Sequence, residues 1–126
     1  KADIVLVGSL EEQTLAQEIQ TIAQHPLKIL TGQTSLLSLM GLLSRCDLLV
    51  TNDSGPMHLA AAQGTPQIAL FGSTDEVATG PFSSKARVLH KHVECSPCLL
   101  RECPIDLRCF SRMAVDEVYD AVHAAL

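Results

Sequence analysis

The 126-residue chain has no tryptophan, one tyrosine and three phenylalanines, so it carries almost no flat π-surface on which bases could stack. Its net charge is −5, which also denies it the positive field that draws nucleic acid; the two absences together exclude a nucleic-acid partner. No apolar run approaches the roughly 18 residues needed to cross a bilayer, and no charged-then-apolar leader precedes the first strand-like segment. The expectation is a soluble, cytoplasmic protein. G-x-G-x-x-G is missing from the first strand-to-helix turn, Val7-Gly8-Ser9-Leu10, and no Walker A sequence occurs, so dinucleotide redox and P-loop chemistry have no support. There is no internal repeat and no low-complexity linker. The chain opens at Lys1 without a methionine and enters a strand almost at once, which suggests a piece of a longer protein.

What is present is an apolar content of 47%, enough for one packed domain over 1–126, and a regular alternation of short apolar runs with helical periodicity. Ile4-Val5-Leu6-Val7 reads as a strand, and 10–23 as a helix with Leu15, Ile19 and Ile22 on one face. Pro26 ends that helix, and Leu27-Lys28-Ile29-Leu30 forms a second strand closing at Thr31-Gly32. Ser35 can cap a helix through Leu36, Leu37, Leu39, Met40, Leu42 and Leu43, with Cys46 as core on its final turn, before a third strand at Leu48-Leu49-Val50. Then come Thr51-Asn52-Asp53-Ser54-Gly55-Pro56-Met57-His58 and a helix that Gly64 stops near Gln63. A strand from Gln67 to Phe71 ends in Gly72-Ser73-Thr74-Asp75, and another lies at Arg87-Val88-Leu89. An irregular, cysteine-rich loop covers 93–110, and a terminal helix covers 114–126 with Val115, Val118, Val122 and Leu126 on one face.

Strands alternating with helices imply an α/β fold: a parallel, Rossmann-like sheet with right-handed crossovers and helices on both faces. Ligands bind such sheets at the carboxyl ends of the strands. Gly8-Ser9, Thr31 to Ser35, Thr51 to Gly55 and Gly72 to Asp75 all follow strands and can line one edge.

Of these, 51–58 has the clearest chemistry. A polar turn that passes straight into a helix leaves unpaired N–H groups where phosphate oxygens bind well. Asp53 or Ser54 can cap that helix, Gly55 permits close approach of a ligand, Pro56 suits the first turn, and His58 can donate to an anion. A plain N-cap with a half-buried histidine explains the same residues. A serine-hydrolase reading of Asp53, Ser54 and His58 fails, because adjacent Asp and Ser cannot both serve one imidazole and no G-x-S-x-G elbow is present. Glu11 and Glu12 suit the start of the first helix electrostatically, and either can accept two ribose hydroxyls.

Charge is uneven. Residues 1–84 carry three basic and eight acidic side chains, whereas 85–126 carry six of each, the basic ones lying between Lys85 and Arg112 with His90 and His92 among them. Solvated surface explains this pattern better than an anion-binding face. Cys95, Cys98, Cys103 and Cys109 fall within fifteen residues, but only the first pair has C-x2-C spacing. An irregular loop with packed or merely neighbouring thiols is therefore preferred over a zinc site.

Taken in order, these segments resemble the ADP-heptose:lipopolysaccharide heptosyltransferases. The resemblance rests on Val7-Gly8-Ser9 with Glu12, Gly32 through Thr34-Ser35-Leu36, 51–62, Gly64-Thr65-Pro66, 69–75, Gly80-Pro81 and the Cys-Ser-Pro-Cys to Cys-Pro segment. The cysteine segment is more similar to that of second-heptose enzymes than to that of first-heptose enzymes. The resemblance implies a GT-B architecture in which this chain is the carboxyl-terminal, donor-binding half. It also implies inverting, metal-independent transfer of heptose from ADP-heptose to the lipopolysaccharide core. By position it assigns Asp53 to heptose hydroxyls, Ser54, Gly55 and His58 to the diphosphate, Thr34, Ser35 and Leu36 to the adenine, and Glu12 to the ribose. No metal or cofactor is implied. The catalytic base and the acceptor site would come from an amino-terminal domain absent from this chain, and the work would be done peripherally at the inner face of the inner membrane. Two other readings stand beside it: a UDP-sugar epimerase-like GT-B domain, whose motif shares an acidic-Ser-Gly turn, and a non-enzymatic nucleotide- or zinc-binding module.

Overall fold

A computed structural model describes residues 2–126. The chain divides into two compact units, one ending at Leu39 and one running from Met40 to Leu126. In the first, β1 (Val5–Leu6) pairs in parallel with β2 (Lys28–Ile29), Val5 opposite Lys28 and Leu6 opposite Ile29. Ladder bonds continue past these short strands. Lys28 N–H donates to Ile4 O at 2.9 Å, Leu30 N–H to Leu6 O at 2.8 Å and Gly32 N–H to Gly8 O at 2.9 Å, which recovers the longer extended runs read from the sequence.

The expected helix over 10–23 begins as a single 3-10 turn, Leu10–Glu12, and continues as α1 (Gln13–Ile22). Ser9 and Glu12 close a capping box at its start. The leucine and isoleucine stripe marked the helix but not its buried face: Leu15, Ile19 and Ile22 are exposed, and Ala16 is the residue packed inward. The boundary between the units falls inside α2 (Leu36–Leu43). Ser35 caps α2 as expected, its Oγ accepting from Ser38 N–H at 3.1 Å. Cys46, expected in the core, lies just beyond α2 and is only half-buried.

The second unit runs β3 (Leu49–Asn52), α3 (Gly55–Gln63), β4 (Gln67–Phe71), α4 (Glu76–Thr79), β5 (Ala86–His90), α5 (Arg108–Ser111) and α6 (Val115–Ala125). Its strands form a parallel sheet of order β3-β4-β5. Every strand pairing among the described residues is parallel, as expected, within two hydrogen-bonded sheets.

β4 is the middle strand of the three and is buried on both faces. Ala69 and Phe71 pack with Met57 of α3 and Val88, while Ile68 packs with Leu89 and with Ala121 of α6, flanked by Val118, Val122 and Met113. Helices therefore cover both faces of this sheet. Full burial of side chains such as Phe71 and Ile68 contributes about 1.5–3 kcal/mol each.

The terminal helix differs from expectation in its inward face. Val118, Ala121 and Val122 meet the sheet, whereas Val115 and Leu126 are exposed. At 3.6 residues per turn, Ala121 lies beside Val118 and Val122 on the cylinder, and its small side chain lets the helix approach the strands. The irregular segment at 93–110 also acquires structure at its end, where α5 begins.

Gly64 ends α3 with φ +74°, and Thr65 N–H returns to Ala60 O at 3.0 Å. Gly64→Ala should lower stability by about 1–2 kcal/mol, the strain of a Cβ in the left-handed region, read as a fall in the urea midpoint with unchanged slope. An unchanged midpoint would remove the helix stop from this glycine.

Candidate functional site

The site is built where β3 gives way to α3. Ser54 occupies the N-cap position, as the sequence suggested, but its side chain makes no cap bond; its hydroxyl lies 3.1 Å from Thr51 Oγ1 instead. Pro56 contributes no N–H. The remaining first-turn amides of α3 therefore have no side-chain acceptor and face the end of the helix where partial positive charge accumulates. Above Gly55 there is open space, since an added Cβ would meet nothing within 4 Å. Its backbone can be approached closely. His58 is exposed, not half-buried, and is free to turn toward a ligand.

Asp53 is held by a residue that sequence reasoning missed. Thr79 Oγ1, at the end of α4, donates to Asp53 Oδ2 at 2.8 Å and also lies 3.0 Å from Asp75 O. Asp75 in turn caps α4, accepting from Val77 N–H at 2.9 Å. One carboxylate oxygen of Asp53 is thereby fixed while the group stays partly accessible. A carboxylate repels phosphate but binds sugar hydroxyls, whereas the α3 amides prefer the anion. Two chemistries thus sit side by side within 53–58.

In the first unit, Glu12 is exposed, and its Oε2 accepts from Ser9 N–H at 2.7 Å and Ser9 Oγ at 3.0 Å. That commits one oxygen to the capping box. Thr34 is half-buried, and Ser35 and Leu36 are exposed at the start of α2. Gly32, with φ +69°, turns the chain from β2 toward them.

Cys95, Cys98 and Cys103 are exposed and Cys109 is buried, and all are free thiols. Among the described residues, no three of them bring their sulfurs together as a ligand set; the side chains that do converge are Glu76, His90 and His92, whose ligand atoms all lie within 4.8 Å of one another. This second cluster left no sequence signal beyond two histidines in a stretch read as solvated surface.

Ion pairs organise the cysteine segment. Arg108 pairs with Glu94 and, through Nε at 2.9 Å, with Asp106 Oδ1. The hydrogen bond from Arg108 holds the Asp106 carboxyl below the usual range; the backbone N–H of Glu94 lowers its own carboxyl first, with Arg108 second.

The fold and this arrangement define a Rossmann-like α/β protein of GT-B-like kind. The structure of ADP-heptose lps heptosyltransferase II from Escherichia coli matches 98% of the chain with TM-score 0.81 at 29% identity. A glycosyl transferase family 9 structure from Veillonella parvula matches 98% with TM-score 0.82 at 28% identity. Each match covers 36% of the solved chain. The description glycosyltransferase family 9 (heptosyltransferase) fits residues 1–108, and the chain belongs to that family. Lipooligosaccharide heptosyltransferase 2 of Campylobacter jejuni subsp. jejuni serotype O:2 is 36% identical over 108 residues, covering 82% of this chain and 34% of that protein. Lipopolysaccharide heptosyltransferase 2 of Escherichia coli is 40% identical over 90 residues, covering 68% of this chain and 26% of that protein. The chain thus spans about a quarter to a third of the length of these curated relatives. No helix among the described residues is long and apolar enough to cross a membrane.

A pH titration tests the Arg108 pairs. Both carboxyls have lowered folded values, so they stabilise the fold above their unfolded values, about 4, and that contribution is lost as pH falls through the folded ones. Arg108→Gln should raise the Asp106 midpoint to the ordinary range in a carboxyl-carbon NMR titration and raise Glu94 less. An unmoved Asp106 would contradict the assignment.

Proposed function

We propose that the chain is the donor-binding domain of a heptosyltransferase, the carboxyl-terminal half of a two-domain GT-B enzyme that moves heptose from ADP-heptose to the lipopolysaccharide inner core. The observation that carries this reading is the uncapped amino end of α3 beside the Thr79-anchored carboxylate of Asp53, within a chain of family 9. In this reading the first-turn amides, Ser54, Gly55 and His58 take the diphosphate, and Asp53 takes the heptose hydroxyls. A diphosphate leaving group gains negative charge as the glycosidic bond breaks, so donors pre-aimed by a helix stabilise the transition state more than the ground state. No metal is needed for that neutralisation.

Glu12, Thr34, Ser35 and Leu36 serve the nucleoside: Glu12 the ribose, and the others the adenine. The capping box leaves Glu12 Oε1 for that task. The acceptor hydroxyl loses its proton to a base supplied by the amino-terminal domain, so this chain binds donor without transferring it. In this reading the chain meets the lipopolysaccharide core acceptor peripherally, at the inner face of the inner membrane.

Calorimetry tests the reading. ADP and ADP-heptose should both bind, with no transfer to acceptor. Asp53→Ala should weaken ADP-heptose about 10- to 100-fold through loss of charged hydrogen bonds while leaving ADP within about twofold. Gly55→Ala should keep its thermal midpoint, because a Cβ there meets open space, and weaken both ligands. Absence of adenine-nucleotide binding by the folded chain would overturn the proposal, and a preference for uridine nucleotides would transfer the reading to the epimerase-like alternative.

A further inference from the structure

His90 ends β5 with a side chain only 3% exposed. Its Nε2 lies 2.9 Å from Ser96 Oγ and 3.2 Å from Gly72 O, and Ser96 Oγ donates to Gly72 O at 2.5 Å. The single hydroxyl proton of Ser96 is thus committed to the carbonyl, so its oxygen accepts from His90 and the ring proton resides on Nε2. That leaves Nδ1 facing Glu76 Oε2 at 2.6 Å, while His92 Nε2 stands 3.3 Å from the other carboxylate oxygen, Glu76 Oε1. The two imidazole rings lie 4.4 Å apart between centroids.

From this geometry we propose that Glu76, His90 and His92 form a binding site for a divalent first-row cation, best matched by Zn2+. Two imidazole nitrogens and one carboxylate oxygen are a borderline-soft donor set that suits zinc, whereas magnesium and calcium take all-oxygen shells. The anchoring of His90 is the arrangement a metal-bound histidine requires: one nitrogen donates to a fixed oxygen acceptor, which orients the other toward the ion. The His90–Glu76 pair engages one carboxylate oxygen, and His92 converges on the second, so that all three groups offer a ligand atom to one point. On binding, the proton between His90 Nδ1 and Glu76 Oε2 passes to solvent, and the carboxylate and both imidazoles become ligands. Water completes the coordination.

The role is structural. α4 carries both Glu76 and Thr79, so a cation joining Glu76 to the end of β5 and the residues after it holds the turn from which Thr79 positions Asp53. The site stands on its own geometry and does not depend on which nucleotide the domain binds.

Zn2+ alone, titrated into the reduced, EDTA-stripped chain, is the test, with Co2+ absorption as a readout of ligand type. One Zn2+ should bind per chain. His92→Gln, at an exposed side chain that leaves the fold intact, should weaken binding at least about tenfold, and Glu76→Gln should do the same. Co2+ should give ligand-field bands without thiolate charge transfer, and the double variant Cys95→Ser, Cys98→Ser should bind within about twofold of the parent. No stoichiometric binding, an intense thiolate band, loss of binding in the cysteine variant, or indifference to His92→Gln would each overturn the proposal.

Discussion

Strand β4 must be buried on both faces at once, and the second unit is arranged to satisfy that demand. Its alternate residues send Ala69 and Phe71 toward α3 and Ile68 toward α6, so neither helix can leave without exposing large apolar surface. Met57, fully buried against Ala69 and Phe71, sits in the first turn of α3. The packing that closes the core therefore also pins the start of the helix, and with it the turn from Thr51 to His58. The fixed position of this candidate turn comes from hydrophobic burial within it, at Met57.

The polar side of the same turn is organised differently. A conventional N-cap would have used the side chain of Ser54 to satisfy the helix amides, but that hydroxyl is diverted to Thr51 and the amides remain available. Asp53 is drawn aside by Thr79 and so does not cap the helix either. Both nearby oxygen acceptors that could quench the helix end are engaged elsewhere, which is how a short segment keeps an anion-seeking end and a carboxylate apart. Short α4 then becomes a hub: Asp75 starts it, Glu76 meets the two histidines and Thr79 reaches Asp53.

Much of this was legible in the residues. Gly64, Pro66 and the β-branched or leucine-rich runs marked elements to within a residue or two, because helix stops and strand propensity act over a few neighbouring residues. The candidate turn was equally plain, since glycine and proline restrict the chain locally. The inward faces of α1 and α6 were less legible: Ala16 and Ala121, weak signals on any hydropathy scale, are the buried residues, because closeness of packing rewards smallness as well as apolarity. The convergence of His90 and His92 on Glu76 left no spacing signal, because it joins the end of one strand to a helix fourteen residues earlier.

By itself, then, the sequence determined the alternation of elements, the parallel pairing it entails, and the identity of the turn between β3 and α3, since each depends on interactions within one element or across one crossover. Only the tertiary structure decided which acceptors that turn would lose, that Asp53 would be held by a threonine 26 residues away, and that Glu76 would meet His90 and His92. These outcomes depend on where sheet packing sets the ends of α4 and β5, and no local propensity records a distance between segments that only a shared core brings together.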